Sequence, residues 1–291
     1  MVRGSSREGG RHPVTGVERV CVADPLDRAA VRAAMTGVDA VVHLAARVHV
    51  MRERAADPLA ESRRANVEST SVLADESGRA GVRQLVFAST VKAVGEGNST
   101  AWTEDTPPAP VDPYGITKLE AERVVREAAE RHGTRATVLR FPLVYGPGVK
   151  GNMLRLFALV DRGVPLPFGS VANRRSLLYV GNLVAAVRAV LECPLDGTET
   201  FFVSDGRDVS LPGLIRMISE ALARPARLLP VPPKLLRLFL PASEAERLIG
   251  SLTVDSSKLS RTTGYRPPHS VENGLRATAD WYRTIRPPEA R

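Results

Sequence analysis

Two stretches decide how the rest of the chain is read: Gln84-Leu85-Val86-Phe87-Ala88-Ser89-Thr90 and, past a proline-marked connection, Asp112-Pro113-Tyr114-Gly115-Ile116-Thr117-Lys118. The first is a short apolar run ending in two hydroxyls, as expected of a strand covered on both faces. The second opens with Asp and Pro, and a Glu-, Ala- and Arg-rich helical pattern continues to Arg131 and stops at Gly133. Strand and helix alternate on both sides of this unit. Residues 17–22 and 39–44 read as strands, and 27–35 and 58–78 as helices. Further on, 136–140 and 200–204 read as strands, with helical patterns at 152–162, 180–192, 211–223 and 271–282. Gly and Pro mark loops at Pro107-Pro108, Tyr145-Gly146-Pro147-Gly148 and Pro165-Leu166-Pro167. Apolar strands separated by helices predict an α/β fold on a doubly wound parallel sheet. A smaller lobe is expected to interleave with its end.

Bulk properties narrow the class. The chain has 291 residues, 43% hydrophobic and 25% charged, which suits one large α/β domain or a nucleotide-binding domain with a lobe attached. No apolar run reaches the roughly 18–20 residues of a membrane helix, and the N-terminus lacks the apolar core of a secretory signal. Cys21 and Cys193 are too few and too far apart for a disulfide framework or a zinc site, so no metal is expected. A cytoplasmic protein is the default expectation, with no membrane partner. The net charge of +8 raises nucleic acid as a partner, but the Arg residues are interleaved with acids, as in Glu122-Arg123, and aromatics are only 5%. No nucleic acid is expected; these charges read as a solvated surface, and their excess suits an anionic small substrate.

Tyr114 and Lys118 carry the chemistry. Spaced by four, they share one helix face a turn apart. A free Tyr is a poor base at neutral pH, and a nearby ammonium favours its phenolate, which makes it usable as a general acid/base. The spacing alone occurs on many helices by chance. Its context is more specific: Ser89 and Thr90 end a strand at the edge where open α/β sheets place ligands. After the helix, Leu139-Arg140-Phe141-Pro142-Leu143-Val144-Tyr145-Gly146-Pro147-Gly148 forms the next strand and loop.

This series resembles the extended short-chain dehydrogenase/reductase family, in its NAD-dependent epimerase/dehydratase branch, over nearly the whole chain. The resemblance implies a Rossmann-like domain over 1–145 and 178–204, and a sugar-nucleotide-binding lobe over 146–177 and 205–291. It makes Tyr114 the acid/base at a sugar oxygen, with Thr90 as its hydroxyl partner. Lys118 is expected to lower the Tyr114 pKa and hold the nicotinamide ribose. Cofactor contacts are implied for Ser89, for Asp24 at the adenine, for Leu44, Ala45 and Ala46 under the pyrophosphate, and for Asn66. Substrate contacts are implied for Thr90, Asn152, Leu166 and Arg175. Read without the family, Asp24 is a helix cap and Asn66 a solvated polar residue. The segments Val254-Asp255-Ser256-Ser257-Lys258 and Gly264-Tyr265-Arg266-Pro267 match a C-terminal signature read as structural.

The chain departs from that pattern at one place. The glycine fingerprint G-x-x-G-x-x-G of the first strand-to-helix turn is absent, and Gly9-Gly10 read as a surface turn. The chain is expected to begin at the family's second strand, through a start assigned too far downstream. Arg3 and Arg7 at that strand's end suit a 2′-phosphate, so the expected cofactor is NADP or NAD, with a lean to NADP. The resemblance implies a nucleotide-sugar 4-epimerase or 4-keto-sugar reductase acting on a UDP-sugar in surface polysaccharide synthesis, as a homodimer. A dehydratase is disfavoured because Val91-Lys92, not acids, follow Thr90. The alternative is a non-catalytic or weakly active truncated nucleotide-binding protein on the same fold.

Overall fold

The computed structural model describes residues 2–6, 15–48, 57–239 and 241–286, without the side chains of 242–244. In chain order the elements begin with β1 (Val2–Ser6), β2 (Val17–Cys21), α1 (Arg28–Met35), β3 (Ala40–His43), α2 (Pro58–Arg63), a π-helical turn (Arg64–Glu68), α3 (Ser69–Arg79) and β4 (Gln84–Thr90). They continue with α4 (Pro113–His132), β5 (Arg135–Phe141), β6 (Leu143–Tyr145), α5 (Gly151–Asp161), β7 (Leu177–Tyr179), α6 (Val180–Glu192) and β8 (Thr198–Phe202). The last are α7 (Leu211–Leu222), α8 (Pro233–Phe239), α9 (Ala242–Ile249), α10 (Ser257–Thr263) and α11 (Val271–Ile285). The chain divides into two compact units. One comprises Met1–Val94, Pro108–Arg140 and Val190–Thr200; the other comprises Gly95–Pro107, Phe141–Ala189 and Phe201–Arg291.

In the first unit β1 pairs in parallel with β2, and β3 in parallel with β4, His43 lying opposite Phe87. The strand order β3-β4-β5-β8 forms a four-stranded sheet, and β1 and β3 each terminate their own sheet. The expected parallel α/β architecture is present, with its ladder in separate pieces. Leu85 and Phe87 of β4 and Val138 of β5 bury against Ala121, Val125 and Ala129 of α4. Full burial of a Leu or Phe contributes about 1.5–3 kcal/mol. The Arg-rich composition has a structural use here. Glu76 of α3 is wholly covered and receives Arg28 at 2.9 Å, Arg32 at 2.6 Å and Arg79 at 2.8 Å. These hydrogen bonds, Arg32 foremost, hold its carboxyl below the usual range against the cost of burial.

In the second unit β6 and β7 pair in parallel and pack on α11. The sequence assigns 178–204 to the first domain; these contacts group β7 and most of α6 with the second. Its core joins Phe157 of α5, Ile215 and Ile218 of α7 and Leu275 of α11. The C-terminal signature is built into this unit: Tyr265 donates its hydroxyl to the Asn182 carbonyl at 2.9 Å, and Lys258 lies over the Phe201 ring.

Candidate active site

Asp112 builds the corner at which β4 ends and α4 begins. Its Oδ1 accepts from the Gly115 N–H at 2.7 Å, capping the helix, while Oδ2 pairs with the Lys92 ammonium. Gly115 is required there because a Cβ would overlap the Lys92 carbonyl oxygen. Thr90 caps the short turn Val91–Ala93, its Oγ1 accepting from Lys92 N–H at 3.3 Å. Thr90 and the Tyr114 turn are thereby tied to one corner of the first unit.

Lys118, one turn further along α4, is 2% exposed. Its Nζ donates to the Ala88 carbonyl at 2.5 Å and lies 3.8 Å from the centre of the Phe87 ring. Burial lowers its pKa to about 7, and the charge of Glu122 opposes that fall. Glu122 is 1% exposed, a correction to its reading as a solvated charge. It accepts the Arg140 guanidinium through Nε at 3.0 Å and NH2 at 2.7 Å, and the Ser89 hydroxyl at 2.5 Å. The Ser89 proton is thus committed to a buried carboxylate rather than to an open site. The spacing Tyr114, Lys118, Glu122 places all three on one helix face, and that periodicity is the signal through which Glu122 is legible.

Tyr114 is half-buried, and its hydroxyl has no hydrogen-bond partner among the described residues. Burial, with the Asp112 charge adding to it, pushes its pKa up to about 12. The expected lowering by Lys118 is therefore not present in this structure. The Lys118 ammonium is itself desolvated and turned to Ala88, so the phenol is neutral.

The loop after β3 carries the other expected contacts. Leu44 and Ala45 are exposed and Ala46 is half-buried. Asn66 is buried in the π-helical turn, where it accepts from Arg47 N–H at 2.7 Å and donates to Arg47 O at 3.1 Å and Thr117 Oγ1 at 3.0 Å. It is no solvated residue; it pins this loop to α4. A π-helical insertion often marks a functional position. His43, which the sequence did not single out alone, is buried beside Thr70 Oγ1 at 2.9 Å. Burial first, then the Lys118 charge, lowers its pKa to about 3. Asp24 accepts from Leu26 N–H in a tight turn at the surface, while Asp27 is the cap of α1, contrary to the cap reading of Asp24. Arg3 is engaged with Glu18 and with the carbonyls of Ala34 and Thr36. Arg7, Gly9 and Gly10 lie outside the described residues.

The second unit holds the remaining expected contacts. Asn152 is exposed in the first turn of α5. Leu166 sends its side chain into the core, and its backbone is taken as well: its N–H donates to Arg227 O at 2.8 Å and its carbonyl accepts from Leu229 N–H at 2.8 Å. Of Arg174-Arg175, which without the family read as a solvated pair, Arg175 turns inward: its NH1 donates to Arg247 O at 2.9 Å and Gly250 O at 3.0 Å, closing the end of α9. Arg174 is the exposed member and pairs with Asp208. A cavity of about 430 Å³, lined by Arg126, Glu130, Gly133 and Thr198, lies at the opposite end of α4 from Tyr114 and holds none of these groups.

A parallel α/β unit with Tyr114 and Lys118 beside the hydroxyl-bearing end of β4 has the build of the short-chain dehydrogenase/reductase class. The chain belongs to the NAD dependent epimerase/dehydratase family, whose model matches residues 2–203. It is 40% identical over 247 residues to the UDP-glucose 4-epimerase of Vibrio cholerae, covering 82% of this chain and 75% of that one. It is 29% identical over 277 residues to the dTDP-glucose 4,6-dehydratase of Streptomyces griseus, covering 93% and 78%. The structure of MoeE5 in complex with UDP-glucuronic acid and NAD superposes with a TM-score of 0.77 at 26% identity, covering 97% of this chain and 90% of that chain. No helix among the described residues is long and apolar enough to cross a membrane.

Proposed function

We propose that this chain is an NAD(P)-dependent UDP-sugar 4-epimerase or 4-keto-sugar reductase, acting at C4 of a UDP-hexose or UDP-N-acetylhexosamine derivative in surface polysaccharide synthesis. The observation that carries this reading is the Tyr114 hydroxyl, unpartnered among the described residues, one turn before the buried Lys118 at the Thr90 end of β4. The 40% identity to a UDP-glucose 4-epimerase supports the choice of substrate class.

The residues present fit a nicotinamide dinucleotide at Lys118 and the loop after β3. Lys118 uses one of three N–H donors on Ala88, which leaves donors for ribose hydroxyls. Leu44 and Ala45 present an exposed apolar surface on a loop that Asn66 holds in place. When bound, the dinucleotide takes hydride from the sugar carbon or returns it. Arg3 does not favour a 2′-phosphate, because its Nε and NH1 are already hydrogen-bonded, so the lean to NADP loses that support.

Tyr114 does the proton work in this reading. Neutral at physiological pH, it gives its proton to a C4 ketone oxygen as that oxygen gains charge on reduction; oxidation of a C4 hydroxyl, the first half of an epimerisation, requires the phenolate form to take the hydroxyl proton. Thr90 keeps its O–H proton free while its oxygen caps a turn, so it can hydrogen-bond the same sugar oxygen. The dehydratase alternative lacks an acid beside Thr90: Val91 is buried and Lys92 is paired with Asp112.

The test is turnover of UDP-glucose and UDP-N-acetylglucosamine with added NAD, and of a UDP-4-keto-sugar with reduced dinucleotide, followed by NMR of the sugar. Tyr114→Phe should lower the rate by about 10²- to 10⁴-fold, the range for loss of a general acid/base. An unchanged rate would sink the mechanism. A second reading is a non-catalytic nucleotide-binding protein on the same fold: the Tyr114 phenol is neutral, and the Lys118 ammonium is turned to the Ala88 carbonyl rather than to Tyr114. UDP-sugar binding without turnover of any of these sugars would favour it.

A further inference from the structure

The second unit carries an apolar surface that its own core does not use. Helix α8 anchors itself through Leu236, which is buried, while Leu235 is 44%, Leu238 78% and Phe239 79% exposed. Positions 235, 238 and 239 follow the i, i+3, i+4 rule, so the three side chains form one outward stripe rather than scattered exposure. Leu229, in the segment before the helix, is also exposed. Large apolar side chains grouped in this way mark a contact surface.

The charges that flank the stripe along the chain select its occupant. From Ala221 to Ser243 the chain contains Arg224, Arg227, Lys234 and Arg237 and no Asp or Glu. Arg224 is paired with Asp161, and Arg237 lies 3.7 Å from Glu246 with both side chains largely exposed, a weak pair. Arg227 and Lys234 have no ion pair among the described residues. A second copy of this chain docking through the same face in a two-fold contact would set these cations against their own images. Nucleic acid would match the charge but gains nothing from exposed leucines, and Phe239 is the only aromatic residue in the segment. An anionic lipid surface matches both features: acyl chains accept the Leu-Leu-Phe stripe and headgroups accept the flanking cations.

We propose that α8 docks the protein on the surface of anionic lipid bilayers, with Leu235, Leu238 and Phe239 at the acyl boundary and Arg227 and Lys234 at the headgroups. This is attachment in the plane of the interface, distinct from a membrane span, and it is independent of the catalytic reading.

The test is co-sedimentation of the full chain with phosphatidylcholine vesicles, with and without a third of phosphatidylglycerol. Binding to the anionic vesicles should weaken as salt is raised. The triple change L235S/L238S/F239S should abolish it while circular dichroism and the thermal midpoint stay unchanged. Lys234→Glu with Arg227→Glu, which leaves the apolar stripe intact, should weaken binding at least about 25-fold, at roughly fivefold for each cation removed. Equal sedimentation of the wild type and the triple variant would overturn the proposal, as would no binding to anionic vesicles. A concentration-dependent dimer that only the triple variant loses, with no vesicle binding, would assign the stripe to a second copy instead.

Discussion

The Nζ of Lys118 donates a 2.5 Å hydrogen bond to the carbonyl of Ala88, joining α4 to the last turn of β4 from inside the protein. This contact places a cation where burial has brought its pKa to about 7. The unfolded chain keeps that lysine protonated up to its ordinary value near 10.5, so unfolding takes up a proton between about pH 7 and 10.

Stability should therefore rise with pH across that window, by up to about 1.4 kcal/mol per pH unit from this group. The sign follows because the unfolded state binds more protons there. Lys118→Met should remove this part of the slope. Denaturant unfolding of both proteins at several pH values checks it, and parallel pH profiles would refute the buried, partly neutral lysine.

Glu122 and Arg140 form a buried two-point pair with Ser89 as a third partner. Glu122→Leu leaves a guanidinium buried without its counter-charge and should cost about 3–5 kcal/mol. Adding Arg140→Leu should recover most of that loss, since two apolar side chains replace two charges. A double variant as unstable as the sum of the singles would show that the pair is not the source.

His43 is held neutral by burial next to Lys118, with a pKa of about 3. As pH falls from about 6.5 toward 3, the unfolded state gains a proton that the folded state refuses, so this group lowers stability in acid. The ring-proton resonance of His43 should stay fixed between about pH 8 and pH 5, where a solvated histidine titrates. A midpoint near the ordinary histidine value would contradict the buried environment.

Gly115 follows Tyr114 at the point where the helix meets the Lys92 carbonyl, which leaves no room for a Cβ. Gly115→Ala should destabilise by roughly 1–3 kcal/mol, the usual cost of forcing atoms into a packed contact. It should also impair turnover more than the Tyr-distant Gly133→Ala, because it pushes α4 away from the end of β4. Thermal unfolding and kcat measured on both variants separate the two effects.

Much of the first unit is legible in the sequence. The continuous apolar run at β4, the capped start of α4 at Asp112 and the glycine stop at Gly133 are local signals, and the structure has each of them. The short helices α8, α9 and α10 and the three-residue strands β6 and β7 were not singled out, because elements that short carry too few residues to display a period. The same limit applied to single charged residues. Glu122 looked like any helix-surface acid beside Arg123, and Asn66 like any polar residue in a helix, since burial depends on what packs against a face.

The chain by itself determined the alternation of strand and helix, the shared face of Tyr114 and Lys118, and the hydroxyls that end β4. Each rests on periods of two or 3.6 residues and on caps, which are properties of neighbours in sequence. Only the tertiary structure decided the protonation of that face. It buried Lys118 against Ala88 and Phe87, left Tyr114 neutral and without a partner among the described residues, and turned Arg3 and Arg175 to carbonyl oxygens. The reason is physical: desolvation and hydrogen bonding are set by atoms from distant parts of the chain, and no local pattern records which atoms those will be.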